Sequence, residues 1–347
     1  MPSAASAAGV QAVSFSVPAG SQVLLTGASG FVGRRLAPVL QAARWRVRCL
    51  SRNAAATAQR WPLQTWVQAD LSRADDLTRA LDGCQTAFYL VHSLGEGTVE
   101  LVDRERERAS AFALAAERAG LERIVYLGGV APQGAPSAHL RSRLEAGEVL
   151  RAGKVPTLEL RAAMIVGYGS QSWLIVRDLA ARLPLMVLPG WLRTSSQPIA
   201  IDDVVAALAA AAQLPGLTSS VSYDLPGPDI LTGRQILQET AHALGYRRLI
   251  TIEVPVLSPR LSSHWVRLVT RADWLVAREL VLGLTHNLLA RNADYWKLIA
   301  YPRRLSFEAA ALRAIDEERR TGHMALSGRV LEVMAGGLAG SRLRWVR

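Results

Sequence analysis

The feature that most constrains this chain is Val23-Leu24-Leu25-Thr26-Gly27-Ala28-Ser29-Gly30-Phe31-Val32-Gly33, followed by Arg34 and Arg35. A short apolar run ends in three glycines spaced by three, and helical periodicity follows through Leu36, Val39 and Leu40. A strand that turns into a helix through glycines leaves the first helical N–H groups unpaired and aimed at one spot. The helix dipole adds to them, and the result is a site for a pyrophosphate. Gly27 permits the tight turn, Gly30 the close approach of a phosphate, and Gly33 the packing of helix on strand. Ser29, Phe31, Val32 and Arg34 complete the candidate contact set of this turn. The pattern reads T-G-x-x-G-x-x-G where the common dinucleotide fingerprint is G-x-G-x-x-G.

Further strands and helices follow in alternation. Strands are predicted at Arg46–Leu50, Gln64–Ala69, Thr86–Val91, Arg123–Leu127 (stopped by Gly128-Gly129) and Thr157–Arg161. Helices are predicted at Phe31–Ala43, Ala74–Leu81, Val99–Ala119 and Ser137–Arg151. This alternation predicts an α/β fold: a doubly wound parallel Rossmann sheet, with a smaller C-terminal, mixed but mostly helical substrate lobe. Right-handed crossovers bring every strand's C-terminal end to one edge, which gathers the glycine turn, Ser51-Arg52, Asp70, His92-Ser93 and Gly128. Ligands of open α/β sheets bind outside that edge.

The expected organisation is a disordered segment over residues 1–20 and a dinucleotide-binding domain over 21–167. A substrate-side lobe interleaved with the sheet edge spans 168–321, and a loose tail spans 322–347. Within the lobe, helices are predicted near Ser172–Leu183 and Asp202–Gln213 and a short run at Val221–Leu225, amid dense Pro/Gly punctuation.

Which dinucleotide binds is a matter of charge. An acidic residue after the second strand selects NAD through the ribose 2′-hydroxyl. Here Ser51 and Arg52 stand there, no Asp or Glu precedes Asp70, and seven arginines crowd residues 34–60. A guanidinium binds a phosphate through two hydrogen bonds, so NADP(H) is favoured over NAD(H). Arg52 is the predicted 2′-phosphate contact, with Arg34 or Arg35 in support, while Arg44 and Arg60 read as solvated surface. Asp70 at a strand end can accept from the adenine amino group or cap a helix.

Composition narrows the remaining classes. The 347 residues carry a net charge of +11 that is almost entirely arginine, since Lys154 and Lys297 are the only lysines. No nucleic-acid-binding signature accompanies it, which argues against a nucleic-acid partner. Two cysteines, Cys49 and Cys84, suit a reducing cytoplasm and no disulfide framework. No apolar run reaches the roughly 18 residues of a membrane span, and no leader peptide is apparent. The histidines show no metal-ligand spacing. His264-Trp265, Trp274 and Trp296 lie among Arg267, Arg271, Arg278, Arg291 and Lys297. A membrane surface selects such a mixture, and so does the packed core of a large lobe. Nothing in the sequence fixes an oligomeric state.

From Val23 to about Leu231 the chain resembles an extended short-chain dehydrogenase/reductase. The resemblance rests on Thr26-Gly27-x-x-Gly30-x-x-Gly33, Ala69-Asp70-Leu71, Gln197-Pro198-Ile199-x-x-Asp202-Asp203-Val204 and Tyr223-x-Leu225-x-Gly227-Pro228. Tyr89-Leu90-Val91-His92-Ser93, Tyr126-Leu127-Gly128-Gly129 and His139-Leu140-Arg141-Ser142-Arg143 are similar to the atypical, NmrA-like NAD(P)H-binding branch. The resemblance implies a nicotinamide cofactor, contacts at Asp70-Leu71, His92-Ser93 and Gly128, and hydride transfer to a small-molecule substrate. The family's usual catalytic pair is Tyr-x-x-x-Lys, yet no tyrosine here has a lysine four residues on. The matching helix position carries His139-x-x-x-Arg143, two residues on one helical face. Arg143 is the candidate to hold the ribose and His139 the candidate proton donor. Tyr168, after the sixth strand, is the candidate substrate-pocket residue. Two functions follow: an NADPH-dependent reductase of an apolar carbonyl, enal or quinone-like substrate, or a non-catalytic NADP(H) sensor.

Overall fold

The computed structural model describes residues 17–91, 99–182, 185–246, 250–254 and 286–321. Strand β1 (Gln22–Leu25) buries all but its first residue, as a strand covered on both faces must. Gly30 then caps helix α1 (Phe31–Ala42), whose Leu36, Ala37 and Leu40 fall on one buried stripe. The alternation continues through β2 (Arg46–Ser51), α2 (Ala54–Arg60), β3 (Thr65–Gln68), α3 (Ala74–Leu81) and β4 (Thr86–Tyr89). Next come α4 (Val99–Arg118), β5 (Arg123–Gly129), α5 (Ala138–Ala152) and β6 (Thr157–Ala162).

The second half supplies β7 (Ile165–Val166), α6 (Gln171–Arg182), β8 (Leu185–Pro189), β9 (Ser195–Ser196), β10 (Ile199–Ala200), α7 (Ile201–Ala211) and β11 (Val221–Leu225). It continues with β12 (Leu231–Thr232), α8 (Gly233–Ala243), β13 (Ile250–Val254), α9 (Asp294–Leu298) and α10 (Phe307–Thr321). Seven strands form one sheet in the order β11-β6-β5-β4-β1-β2-β3, and every pairing in it is parallel. The order reverses between β1 and β4, which places the glycine turn at the switch point where such sheets bind ligands.

Two apolar layers cover the sheet. Leu36 and Leu40 of α1 join Val204, Val205 and Leu208 of α7 on one face. Leu77 of α3, Phe112 of α4 and Leu150 of α5 fill the other. A third cluster, with Trp173, Leu231, Ile236, Phe307 and Ile315, packs α6, α8 and α10 together. No helix among the described residues is long and apolar enough to cross a membrane.

Three expectations change. β5 is not stopped by Gly128-Gly129 but runs through both glycines. The strand needs them because a Cβ at Gly128 would lie 2.7 Å from Glu159 Oε1, and one at Gly129 2.6 Å from Leu140 Cδ1. Val221–Leu225, read as part of the lobe, is the edge strand of the main sheet beside β6. Helix α2 was not anticipated: it buries no residue, so it leaves no apolar periodicity to read. Of the two readings offered for Trp296, core packing holds: it is 4 % exposed among Tyr295, Tyr301 and α7. His264, Trp265, Arg267, Arg271, Trp274, Arg278 and the 322–347 tail lie outside the described residues.

Candidate functional site

The glycine turn is built for close approach. Gly27 has φ +64°, and a Cβ there would lie 2.6 Å from the Leu90 carbonyl oxygen. A Cβ at Gly33 would collide with the Gly27 carbonyl. The turn is fixed to β4 by Thr26, whose N and Oγ1 donate to Phe88 O at 3.0 and 2.8 Å, while Leu90 N donates to Oγ1 at 3.0 Å. Gly30 caps α1 without a side-chain hydrogen bond, and the first helical turn holds no acidic residue. Uncapped N–H groups, a favourable dipole and missing side chains fit a dinucleotide pyrophosphate. Ser29 is exposed at this turn, and Phe31 and Val32 are half-buried against the core.

Beside the turn, the end of β2 carries no carboxylate. Ser51 Oγ lies 2.7 Å from Thr57 Oγ1 and accepts from Asn53 N at 3.2 Å, so it anchors the start of α2. Arg52 is exposed, with no hydrogen-bond partner among the described residues. Asp70 caps no helix, since Arg73 occupies the N-cap of α3. Its Oδ1 instead accepts from Ser72 N at 2.9 Å and Ser72 Oγ at 2.7 Å, and these bonds hold the carboxyl below its ordinary range. Leu71 is 6 % exposed and packs in the core.

The arginines after the turn divide. Arg35 is committed, its Nη2 donating to Tyr168 O at 2.7 Å and to both carboxylate oxygens of Glu317 at 3.0 and 2.9 Å. Its predicted support of the 2′-phosphate gives way to a tie between α1 and α10. Arg34 remains exposed, with Nε donating to Gly30 O at 3.3 Å and its guanidinium over the Trp61 ring. Partial burial and then the charges of Arg35 and Arg60 hold it below the ordinary arginine range. Tyr168 lies close enough to Arg34 to act on it electrostatically. Gly167 and Gly169 on either side press on Phe31, so the structure brings Tyr168 to the phosphate turn.

Further along the edge, the α5 pair separates in character. His139 and Arg143 stand one turn apart after the Ser137 cap. Arg143 Nη2 donates to Leu127 O at 3.1 Å and Gly128 O at 3.0 Å, binding the helix to the end of β5. Burial, and then the Arg143 charge, pushes His139 down to about 4, so its imidazole is neutral at pH 7. Beneath them Glu159, fully buried on β6, pairs with Arg151 of α5 at 2.8 Å and Arg161 at 2.9 Å. Sequence reasoning passed over Glu159, which stands opposite Tyr126 in β5. The missing side chains of Gly128, two residues on in β5, and of Gly147 in α5 leave room for its carboxylate; those glycines are the one sign of it in the sequence. His92 and Ser93 lie outside the described residues. Cys49 and Cys84 are free and buried. No cluster of metal-ligating side chains occurs among the described residues.

The late family motifs are also explained by packing. Asp203 accepts from Tyr301 Oη at 2.9 Å and Leu305 N at 2.9 Å, which locks α7 to the segment before α10. Gly227 has no room for a Cβ beside the Pro198 carbonyl.

Comparison with known proteins agrees with this geometry. Residues 27–177 match the NAD(P)H-binding domain family. A protein of Caulobacter vibrioides named ceramide reductase is 30% identical over 237 residues, covering 67% of this chain and 74% of that one. The chain is a short-chain dehydrogenase/reductase. Solved structures share the fold of this dehydrogenase/reductase at low identity. The crystal structure of gox2253 superposes with a TM-score of 0.68 at 21% identity, over 88% of this chain and all of that one. The UDP-glucose 4-epimerase of Thermotoga maritima does so with 0.66 at 12% identity, over 87% of this chain and 100% of the other. As a member of the family it carries a nicotinamide-dinucleotide domain and is reductase-like, without the Tyr-x-x-x-Lys pair.

Proposed function

We propose that this protein is an NADPH-dependent reductase of an apolar carbonyl substrate, with long-chain ceramide-type lipids the first class to test. The observation that carries the reading is the uncapped glycine turn flanked by exposed Arg34 and Arg52, neither bonded to a carboxylate among the described residues, with no carboxylate at the end of β2. The lipid class is supported by the ceramide reductase relative. When bound, NADPH supplies the hydride to the substrate carbon. The chain's part is to orient and polarise. Gly27, Ser29, Gly30, Phe31, Val32 and Gly33 hold the pyrophosphate, Arg34, Ser51 and Arg52 the 2′-phosphate end, and Asp70, Leu71 and Gly128 the rest of the edge.

In this reading His139 stands where the family places its tyrosine. A neutral imidazole can donate a hydrogen bond through its N–H to a carbonyl oxygen and so stabilise the charge that develops there. This replaces the predicted role of His139 as proton donor; the proton that completes the alcohol then comes from solvent. Arg143 serves as a positioning residue, holding the end of β5 against α5. The missing Tyr-x-x-x-Lys pair favours a second reading, a non-catalytic NADP(H) sensor.

One experiment separates the two. NADPH oxidation is followed with a panel of quinones, enals and ketones, including ceramide-type ketones in mixed micelles. The reductase reading expects turnover with at least one lipid ketone and slower turnover with NADH. Tight NADPH binding without turnover on the whole panel would transfer the assignment to the sensor.

A further inference from the structure

Arg60 was read from the sequence as solvated surface, yet the structure gathers it with Arg34 around one ring. The Arg60 guanidinium stands 4.8 Å from the Trp61 ring centroid and that of Arg34 5.7 Å. Trp61 is itself held. Its carbonyl accepts from Trp66 Nε1 at 3.0 Å, and the Trp66 ring lies 6.1 Å away. Neither Arg34, Arg52 nor Arg60 forms an ion pair with a carboxylate among the described residues. Arg34 Nε is used by Gly30 O, which leaves its Nη groups without an acceptor among the described residues. The start of α2 is pinned to the end of β2 through Ser51 and Thr57, and Arg60 lies one turn beyond Thr57.

Like charges brought together repel, and Arg34 senses Arg35 and then Arg60 in this way, with Glu317 offsetting part of it from a distance but no carboxylate bonded to Arg34 or Arg60 among the described residues. A structure that keeps such a cluster offers a site to an anion, and guanidinium forks suit a phosphate monoester. The aromatic face offsets part of the repulsion and restricts where the two guanidiniums can point.

We propose that Trp61 is the platform of the phosphate-monoester site, holding Arg34 and Arg60 as a pair that binds the 2′-phosphate of NADP(H) beside Arg52. Trp61 and Arg60 thereby determine cofactor specificity, with Trp61 acting through the arginines rather than on the ligand. This rests on the reading that the glycine turn takes NADP(H).

The test is binding, without turnover: NADPH, NADH, 2′,5′-ADP, 5′-AMP and inorganic phosphate are titrated against wild type, Arg60→Gln, Trp61→Leu and Trp61→Phe. Arg60→Gln and Trp61→Leu are expected to lose about tenfold or more in affinity for NADPH and 2′,5′-ADP. NADH and 5′-AMP affinities stay within about twofold, which also reports an intact fold, and Trp61→Phe keeps most of the preference. If the wild type prefers NADPH and both variants keep that preference, the platform is overturned while the NADP(H) reading stands. Equal losses for NADPH and NADH overturn it as well. Equal wild-type affinities for the two dinucleotides overturn the NADP(H) reading, and the platform with it. Inorganic phosphate that binds as tightly as 2′,5′-ADP would make this a free-phosphate site and also overturn the proposal.

Discussion

At the scale of single residues, His139 has the sharpest consequence. An unfolded imidazole titrates near 6.5, whereas His139 in the fold is pushed down to about 4. Between those values the unfolded chain binds more protons than the folded one, so stability rises with pH across this window. The contribution is complete above about pH 6.5 and is lost progressively as pH falls toward about 4. His139→Gln is therefore expected to flatten the fall in urea midpoint between pH 6.5 and 4.5; an unchanged slope would show that the shift belongs to another group. The three glycines could be read in advance because each answers a local demand of strand, turn and helix. Arg60 and Trp61 could not, because what joins them to Arg34 is the packing of α2 against the turn, and no local spacing records it. Arg143 was legible as the residue at the family's lysine position, the candidate to hold the ribose. Its contacts with the Leu127 and Gly128 carbonyls were not, since they depend on β5 continuing through its glycines.

Between elements, the same division follows the physics of parallel sheets. Strands covered on both faces are short apolar runs, so β1, β4 and β5 stand out from the sequence, while β2 and β6 alternate apolar with charged residues. Which strand pairs with which is a long-range matter, and β11 reached the main sheet across a stretch whose Pro/Gly punctuation pointed to a separate lobe. The charged ties between helices were equally silent. Arg177 of α6 donates Nε to Glu318 of α10 at 2.8 Å, with both side chains almost fully buried beside Asp178. Removing one member of a buried pair leaves a desolvated charge behind, at a cost of about 3–5 kcal/mol. Glu318→Ala is expected to lower unfolding free energy toward the lower end of that scale, since Arg177 keeps Asp178. The double variant Arg177→Met/Glu318→Leu is expected to recover only part of it, since fully buried Asp178 then loses Arg177 and keeps Arg182. Denaturant unfolding measures both. A single variant within about 0.5 kcal/mol of wild type would show that the pair is not what holds α6 to α10.

For the whole molecule, the question is whether binding at the glycine turn is felt by the lobe. Arg35 lies one turn into α1, and its guanidinium grips Glu317 of α10 and the Tyr168 carbonyl together. Asp203 of α7 ties the segment before α10 through Tyr301 and Leu305. Helix α7 in turn shares an apolar layer with α1. The sheet and the C-terminal helix α10 are thus tied through the very helix whose N-terminus forms the turn, which favours one cooperative unit over two. A ligand that binds only the folded chain stabilises it by about 2.7 kcal/mol at a hundred times its Kd. In thermal unfolding, saturating NADPH is therefore expected to raise the midpoint by several degrees as a single transition, and NADH by less at equal concentration. Glu317→Ala alters no group proposed to touch the dinucleotide, so it should leave NADPH affinity in place while separating the lobe into an earlier transition. A wild-type protein that melts in two steps, with NADPH moving only one, would show that Arg35 and Glu317 join two bodies without coupling them.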